Sequence, residues 1–152
     1  MKNILNTQSK KTLINLNNGI LFSHCLLFAF DNIQLFLKLI DFKTEKRKNL
    51  IKYSQFFWTC FAGLTIIKNS KDMKLLNEKE EDEKKKKLKK KVLITNSLSN
   101  AFDLLICLNG SNISKNLFGR NIPPQIRGLG GVLAPSFALY SSSLNSKIWN
   151  SN

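Results

Sequence analysis

The stretch "GILFSHCLLFAFDNIQLFLKLI", residues 19–40, decides the fold. Its polar residues follow a period: His24, Asp31 and Lys38 are seven apart, and Gln34 and Asp41 repeat that step. At about 100° per residue on a helix, these five fall within an arc of roughly 100°. Ser23 borders the arc, Asn32 lies outside it, and the rest of the helix is apolar. A surface helix of a water-soluble domain shows the reverse proportion, with a limited apolar stripe and a broad polar face. Two readings fit residues 19–40: the central helix of a soluble bundle, or a helix in or on a bilayer. The second is favoured, because so wide an apolar surface needs lipid or a larger core than 152 residues provide. In a spanning helix Asp31 lies near the middle, where a carboxylate costs about 2.5–3.5 kcal/mol unless it faces protein.

Outward from this helix, residues 1–18 are polar and read as a loose tail or the frayed start of a helix. They lack a long apolar run and a small-residue cleavage site, so no signal peptide is expected. On the other side a basic connector, residues 41–49, leads to "IKYSQFFWTCFAGLTII", residues 51–67. The apolar core of that segment, with Phe56, Phe57, Trp58 and Phe61, is short for a span and suits a buried or interfacial helix. Residues 68–91 form a charged spacer whose acidic half precedes its basic half. Glu80–Lys84, Glu81–Lys85 and Glu83–Lys87 are i,i+4 pairs in the favourable order, which predicts a solvated helix between two halves.

The second half opens with an amphipathic helix over residues 92–108, followed by a loop that ends at Pro123–Pro124. "RGLGGVLAPSFALYSSSL", residues 127–144, then carries an apolar-and-small run shorter than the ~20 residues a span requires. Small residues recur every fourth position, at Gly130, Ala134, Ala138 and Ser142, a pattern that lets membrane helices approach closely. Pro135 is expected to kink this helix, which a membrane bundle tolerates. The residues fit equally a short span and a loop followed by a core helix.

The formal charge of +14 admits nucleic acid or an acidic membrane surface as partner. Of 24 basic residues, 21 are lysine and three arginine, and asparagine occurs 18 times. An AT-rich gene yields that composition without selection for a polyanion, and bidentate base and phosphate contacts favour the scarce arginine. No nucleic-acid partner is expected. Cys25, Cys60 and Cys107 lie inside apolar blocks without metal-ligand spacing, and His24 has no second ligand at helical spacing. The GLGG at Gly128 lacks the lysine and preceding strand of a phosphate loop. No cofactor, metal or catalytic site is expected, and no enzyme.

The segments SNAFDLLICLN and RGLGGVLAPSFALYSS resemble the C-terminal signature of the peroxin-11 family. The matching positions are Asn100, Ala101, Asp103, Leu104 and Leu105, then Gly128, Gly131 and Ser136. LLFAFDN resembles the family's aromatic-x-x-Asp-Asn segment at Phe28, Asp31 and Asn32, and the aromatic cluster and charged spacer follow in the family's order. The resemblance covers residues 18–148 and implies an N-terminally short member. The expectation is an all-α membrane protein of about four helices. Its parts are a polar tail over residues 1–18 and a membrane domain over residues 19–148, with halves 19–67 and 92–148 around the spacer 68–91.

What the resemblance implies is an integral peroxisomal membrane protein acting in proliferation, elongation and fission. Its expected partners are the phospholipid membrane, copies of itself or related peroxins, and fission machinery. The ridge of Gly130, Ala134, Ala138 and Ser142 would carry helix association. The alternatives are a channel for small metabolites lined by His24, Asp31 and Lys38, and, from a different class, a soluble basic bundle binding nucleic acid.

Overall fold

The structure, a computed structural model, describes residues 2–40, 45–78, 82–111 and 113–149, with their side chains except those of 2–11, 45–47, 110, 117 and 118. It consists of α1 (Lys2–Leu39), α2 (Glu45–Glu78), α3 (Glu83–Gly110), α4 (Ile113–Phe118) and α5 (Pro124–Trp149). No strand occurs among the described residues. The protein is all-α.

The long helices pack in series: α1 against α2, α2 against α3, and α3 against α5, with the short α4 resting on α3. No other helix pair is in contact among the described residues. Neighbours are antiparallel, as Gly19 beside Leu64 and Asp31 beside Ser54 show for the first pair. The starts of α1 and α3 therefore share one end of the molecule with the ends of α2 and α5. Helices in such a row each keep two uncovered flanks, so none is wrapped by a central core.

Residues 2–18, read from sequence as a loose tail or the frayed start of a helix, belong to α1, with no proline or glycine among them to interrupt it until Gly19. Residues 51–67 lie inside a 34-residue helix, because the lysine-bearing flanks on both sides are helical too. The segment that looked short for a span is long enough once those flanks are included.

The charged spacer is not one helix: α2 ends at Glu78 and α3 begins at Glu83. Glu80 and Glu81 lie outside the described residues, while Glu83 and Lys87 are both in α3. The acid-then-base order that suggested i,i+4 pairing equally suits a helix start, where negative charge meets the positive end of the helix dipole. Asp82 caps that start, its carboxylate accepting from the Lys84 amide at 3.3 Å. Asp82→Ala is expected to cost about 1 kcal/mol, read as a lower thermal midpoint of the purified chain.

Beyond α3, the Asn109 side chain accepts from the Ile122 amide at 3.0 Å and ties the loop back to the helix. Gly119, at φ 68°, supplies the left-handed residue after α4. Pro124 opens α5 at the position where a missing amide costs nothing. The helix continues through Pro135, whose ring leaves the Gly131 carbonyl without its amide donor.

Candidate membrane interface

The distribution of side chains is inverted relative to a water-soluble bundle. Among the described residues the buried set is dominated by small and polar groups, including Ser23, Ser54, Thr65, Asn69, Ser99 and Asn100. The exposed set contains 21 large hydrophobic residues, with Leu39 at 76% and Leu139 at 73% exposure. Burying such a side chain contributes about 1.5–3 kcal/mol in water. Leaving this many outside forgoes several times the 5–15 kcal/mol that stabilises a typical domain. In hydrocarbon the same arrangement costs nothing, and interfaces of small and polar residues are what membrane helices use.

α1 shows the inversion most clearly. Leu21, Phe22, Phe28, Leu35, Phe36 and Leu39 are exposed, while Ser23 and Leu27 are buried. The polar stripe turns toward α2. His24 stacks on Phe61 at 4.8 Å, and Phe28 of its own helix is tilted against it at 4.6 Å. Asp31 accepts the Ser54 hydroxyl at 2.5 Å, and Gln34 donates to the Leu50 carbonyl at 3.4 Å. One turn away, Phe30 stacks on Phe57 at 5.5 Å. Lys38 stands exposed near the end of the helix, and Asn32 is exposed on the flank opposite the stripe.

The remaining seams follow the same chemistry. Asn69 on α2 donates to Ser97 on α3 at 3.1 Å. Between α3 and α5, Ser99 donates to the Ala134 carbonyl at 2.8 Å and Ser141 to the Val92 carbonyl at 3.3 Å. Phe102 and Phe137 stack at 5.9 Å across the same seam. Hydroxyls elsewhere, such as Thr59, Thr65 and Ser136, return to carbonyls of their own helices, so their donors are satisfied without water.

The small-residue ridge of α5 divides in two. Gly130 and Ala134 are buried on α3: a Cβ on Gly130 would meet Ile106 Cγ1 at 3.2 Å and the Phe102 carbonyl at 3.3 Å. Ala138 and Ser142 are exposed, and Ser141 and Leu144 take the buried positions instead. The cause is geometric. Steps of four residues drift by about 40° each on an α-helix, whereas alternating steps of four and three hold one face. The sequence-level ridge therefore leaves the seam after its second member.

Of the other family-type positions, Asn100 is buried and its amide donates to the Asn96 carbonyl at 2.8 Å. Ala101, Asp103 and Leu104 are half-buried. Gly128 and Gly131 are exposed, with nothing within 4 Å of a Cβ on either. Sequence reasoning did not single out Ser54, Ser99, Asn69 or Ser141. A signal existed on α2: Ser54, Ala62, Thr65, Asn69 and Leu76 fall within an arc of about 80° and are all buried.

Three helical stretches are long and apolar enough to cross a membrane: Thr12–Leu39, Lys48–Glu78 and Glu83–Asn109. The stretch 127–144 in α5 is not among them, its serines, glycines and Pro135 diluting the apolar run. The span-like candidates lie earlier in the chain than its small-residue pattern suggested. Among the described residues no three His, Cys, Asp or Glu side chains gather as metal ligands would.

Neither a curated protein nor a solved structure matches the chain. The family model described as Peroxisomal biogenesis factor 11 (PEX11) matches residues 2–142, nearly the whole of it, from the start of α1 into α5. An inside-out helical row with three span-length helices agrees with that match, and the chain belongs to the peroxisomal biogenesis factor 11 family.

Proposed function

We propose that the chain is an integral protein of the peroxisomal membrane that acts in peroxisome proliferation, elongating the organelle and preparing it for fission. Membership in a peroxisomal biogenesis family supports the organelle and the process. The observation that carries the membrane part is α1, whose exposed side carries Leu21, Phe22, Phe28, Leu35, Phe36 and Leu39 while His24, Asp31 and Gln34 make contacts with α2. Lysines gathered where α2 ends and α3 begins would hold that end against anionic head groups, at about 1 kcal/mol each near the surface.

A tagged copy tests this. It is expected to remain in the pellet after alkaline carbonate extraction, in fractions carrying a peroxisomal marker, and its depletion is expected to leave fewer, larger peroxisomes. Release by carbonate, or an unchanged number of peroxisomes, would count against it.

Association between copies belongs to the same proposal. Ala138 and Ser142 share an exposed flank of α5 with Gly128 and Gly131, where a second helix could approach closely. Ala138→Ile is expected to reduce chemical crosslinking between copies severalfold while leaving the thermal midpoint within a few degrees of wild type. Unchanged crosslinking would remove this flank from the account.

A metabolite channel would need His24, Asp31 and Lys38 along a water-filled path. His24 stacks on Phe61 and Asp31 bonds Ser54, so within one chain these two contacts are made with α2. No observation favours that reading.

A further inference from the structure

At the end of the molecule where α2 gives way to α3, a pocket of about 540 Å3 opens among all four long helices. That volume lies within the range of ordinary small-molecule sites. Its wall is apolar: Leu13 of α1, Leu75 and Leu76 of α2, Leu93 of α3, and Ile148 and Trp149 of α5. Two lysines one helical turn apart, Lys85 and Lys89, stand in the same lining, with Asp72 as its acidic member. Asp72 is bridged by Lys68 of its own helix at 3.0 Å, so its charge is offset locally. The lining is thus greasy with a net positive edge.

Depth along the helices decides what such a pocket meets. Lys85 and Lys89 precede the apolar run that starts at Val92, and Leu75 and Leu76 follow the one that ends at Ile67. Leu13 precedes the apolar run of α1, and Trp149, 74% exposed, lies at the end of α5. In the membrane reading this level is the head-group layer, where tryptophan concentrates and where basic pockets between helices take anionic lipid heads.

From this we propose that the pocket is a binding site for one anionic phospholipid. Its phosphate would lie on Lys85 and Lys89, and one acyl chain would run along Leu75, Leu76, Leu93 and Ile148. The inference rests on the membrane reading for its depth, but on the lining for its chemistry. Lipid held here would touch α1, α2, α3 and α5 together and so fasten the open row of helices at that end.

Native mass spectrometry of the full chain, released from phosphatidylcholine nanodiscs containing a minor fraction of phosphatidylserine, tests the proposal. The wild type is expected to retain one phosphatidylserine per chain. Replacing Lys85 and Lys89 together by glutamine should lower its affinity for phosphatidylserine roughly thirtyfold, from about 1 kcal/mol per lysine. Leu93→Trp, which fills the pocket and keeps both lysines, should lose retention as well. The charge-matched control, Lys84→Gln with Lys87→Gln, alters lysines outside the lining and should retain the lipid.

Three results would overturn the proposal: no retained phosphatidylserine, equal loss in the test and control pairs, or added oleate displacing the phospholipid from the wild type. The two readings separate cleanly. A chain released by alkaline carbonate that still binds phosphatidylserine through Lys85 and Lys89 would sink the membrane reading and leave the pocket standing. One that resists carbonate but retains no phospholipid does the reverse.

Discussion

Gly130→Ile is expected to separate α5 from α3 and to lower the thermal midpoint of the purified chain by roughly 5–15 °C. A Cβ at this position meets Ile106 at 3.2 Å and the Phe102 carbonyl, a backbone atom, at 3.3 Å. Isoleucine adds three further carbons to that collision. Overpacking of this kind costs about 1–3 kcal/mol. The shift also strains the Ser99–Ala134 hydrogen bond and the Phe102–Phe137 stack along the same seam, and a lost hydrogen bond adds about 1 kcal/mol. Together these amount to roughly 2–4 kcal/mol, and a chain of this size moves by about 2–4 °C per kcal/mol. The control lies in the same helix. Gly128 and Gly131 have nothing within 4 Å of a Cβ, so isoleucine at either should leave the midpoint near that of wild type. Equal destabilisation at all three positions would show that the α3–α5 seam is wrongly placed.

The second large effect is expected at the Asp31–Ser54 pair. Ser54 is 2% exposed and its hydroxyl is the short donor to the Asp31 carboxylate. Ser54→Val removes that donor, leaves Gln34 at 3.5 Å as the remaining side-chain partner in view, and should destabilise the chain by about 1–3 kcal/mol. Asp31→Leu combined with Ser54→Val replaces both partners by apolar groups. The double variant should recover most of the loss, because replacing both partners of a hydrogen bond by apolar groups is close to neutral where removing one alone is not. A double-mutant cycle on thermal midpoints measures this, and an interaction energy near zero would show that the two residues do not meet.

The helical class and the inverted surface were legible in the residues themselves. The seven-residue step from His24 to Asp31 to Lys38 marked the side of α1 that turns to α2, and the fold places His24 and Asp31 there. What escaped was set by partners remote in the chain. Nothing local distinguishes Ser54 or Ser99 from other serines, since each matters only through a helix dozens of positions away in sequence. The apolar core of residues 51–67 marks only the middle of α2, which runs on through lysine-bearing flanks because lysine extends a helix readily. Charge order alone cannot separate i,i+4 pairing from a dipole-matched helix start, so the α3 cap at Asp82 is not legible in the spacer. The four-residue step of the α5 ridge does not tell which of its members face α3. Gly130 and Ala134 stayed on the seam; Ala138 and Ser142 did not.

The central claim is that α1 meets lipid with its broad apolar face and protein with its polar stripe. Spin labels at single introduced cysteines, in a chain without its three native ones, test it in reconstituted bilayers. Labels at Leu21, Phe28 and Leu35 should relax with oxygen, which partitions into lipid, and resist a water-soluble nickel chelate. A label at Leu27, buried in the seam, should resist both. Relaxation of the Leu21, Phe28 and Leu35 labels by the nickel chelate would put that face in water and contradict the account.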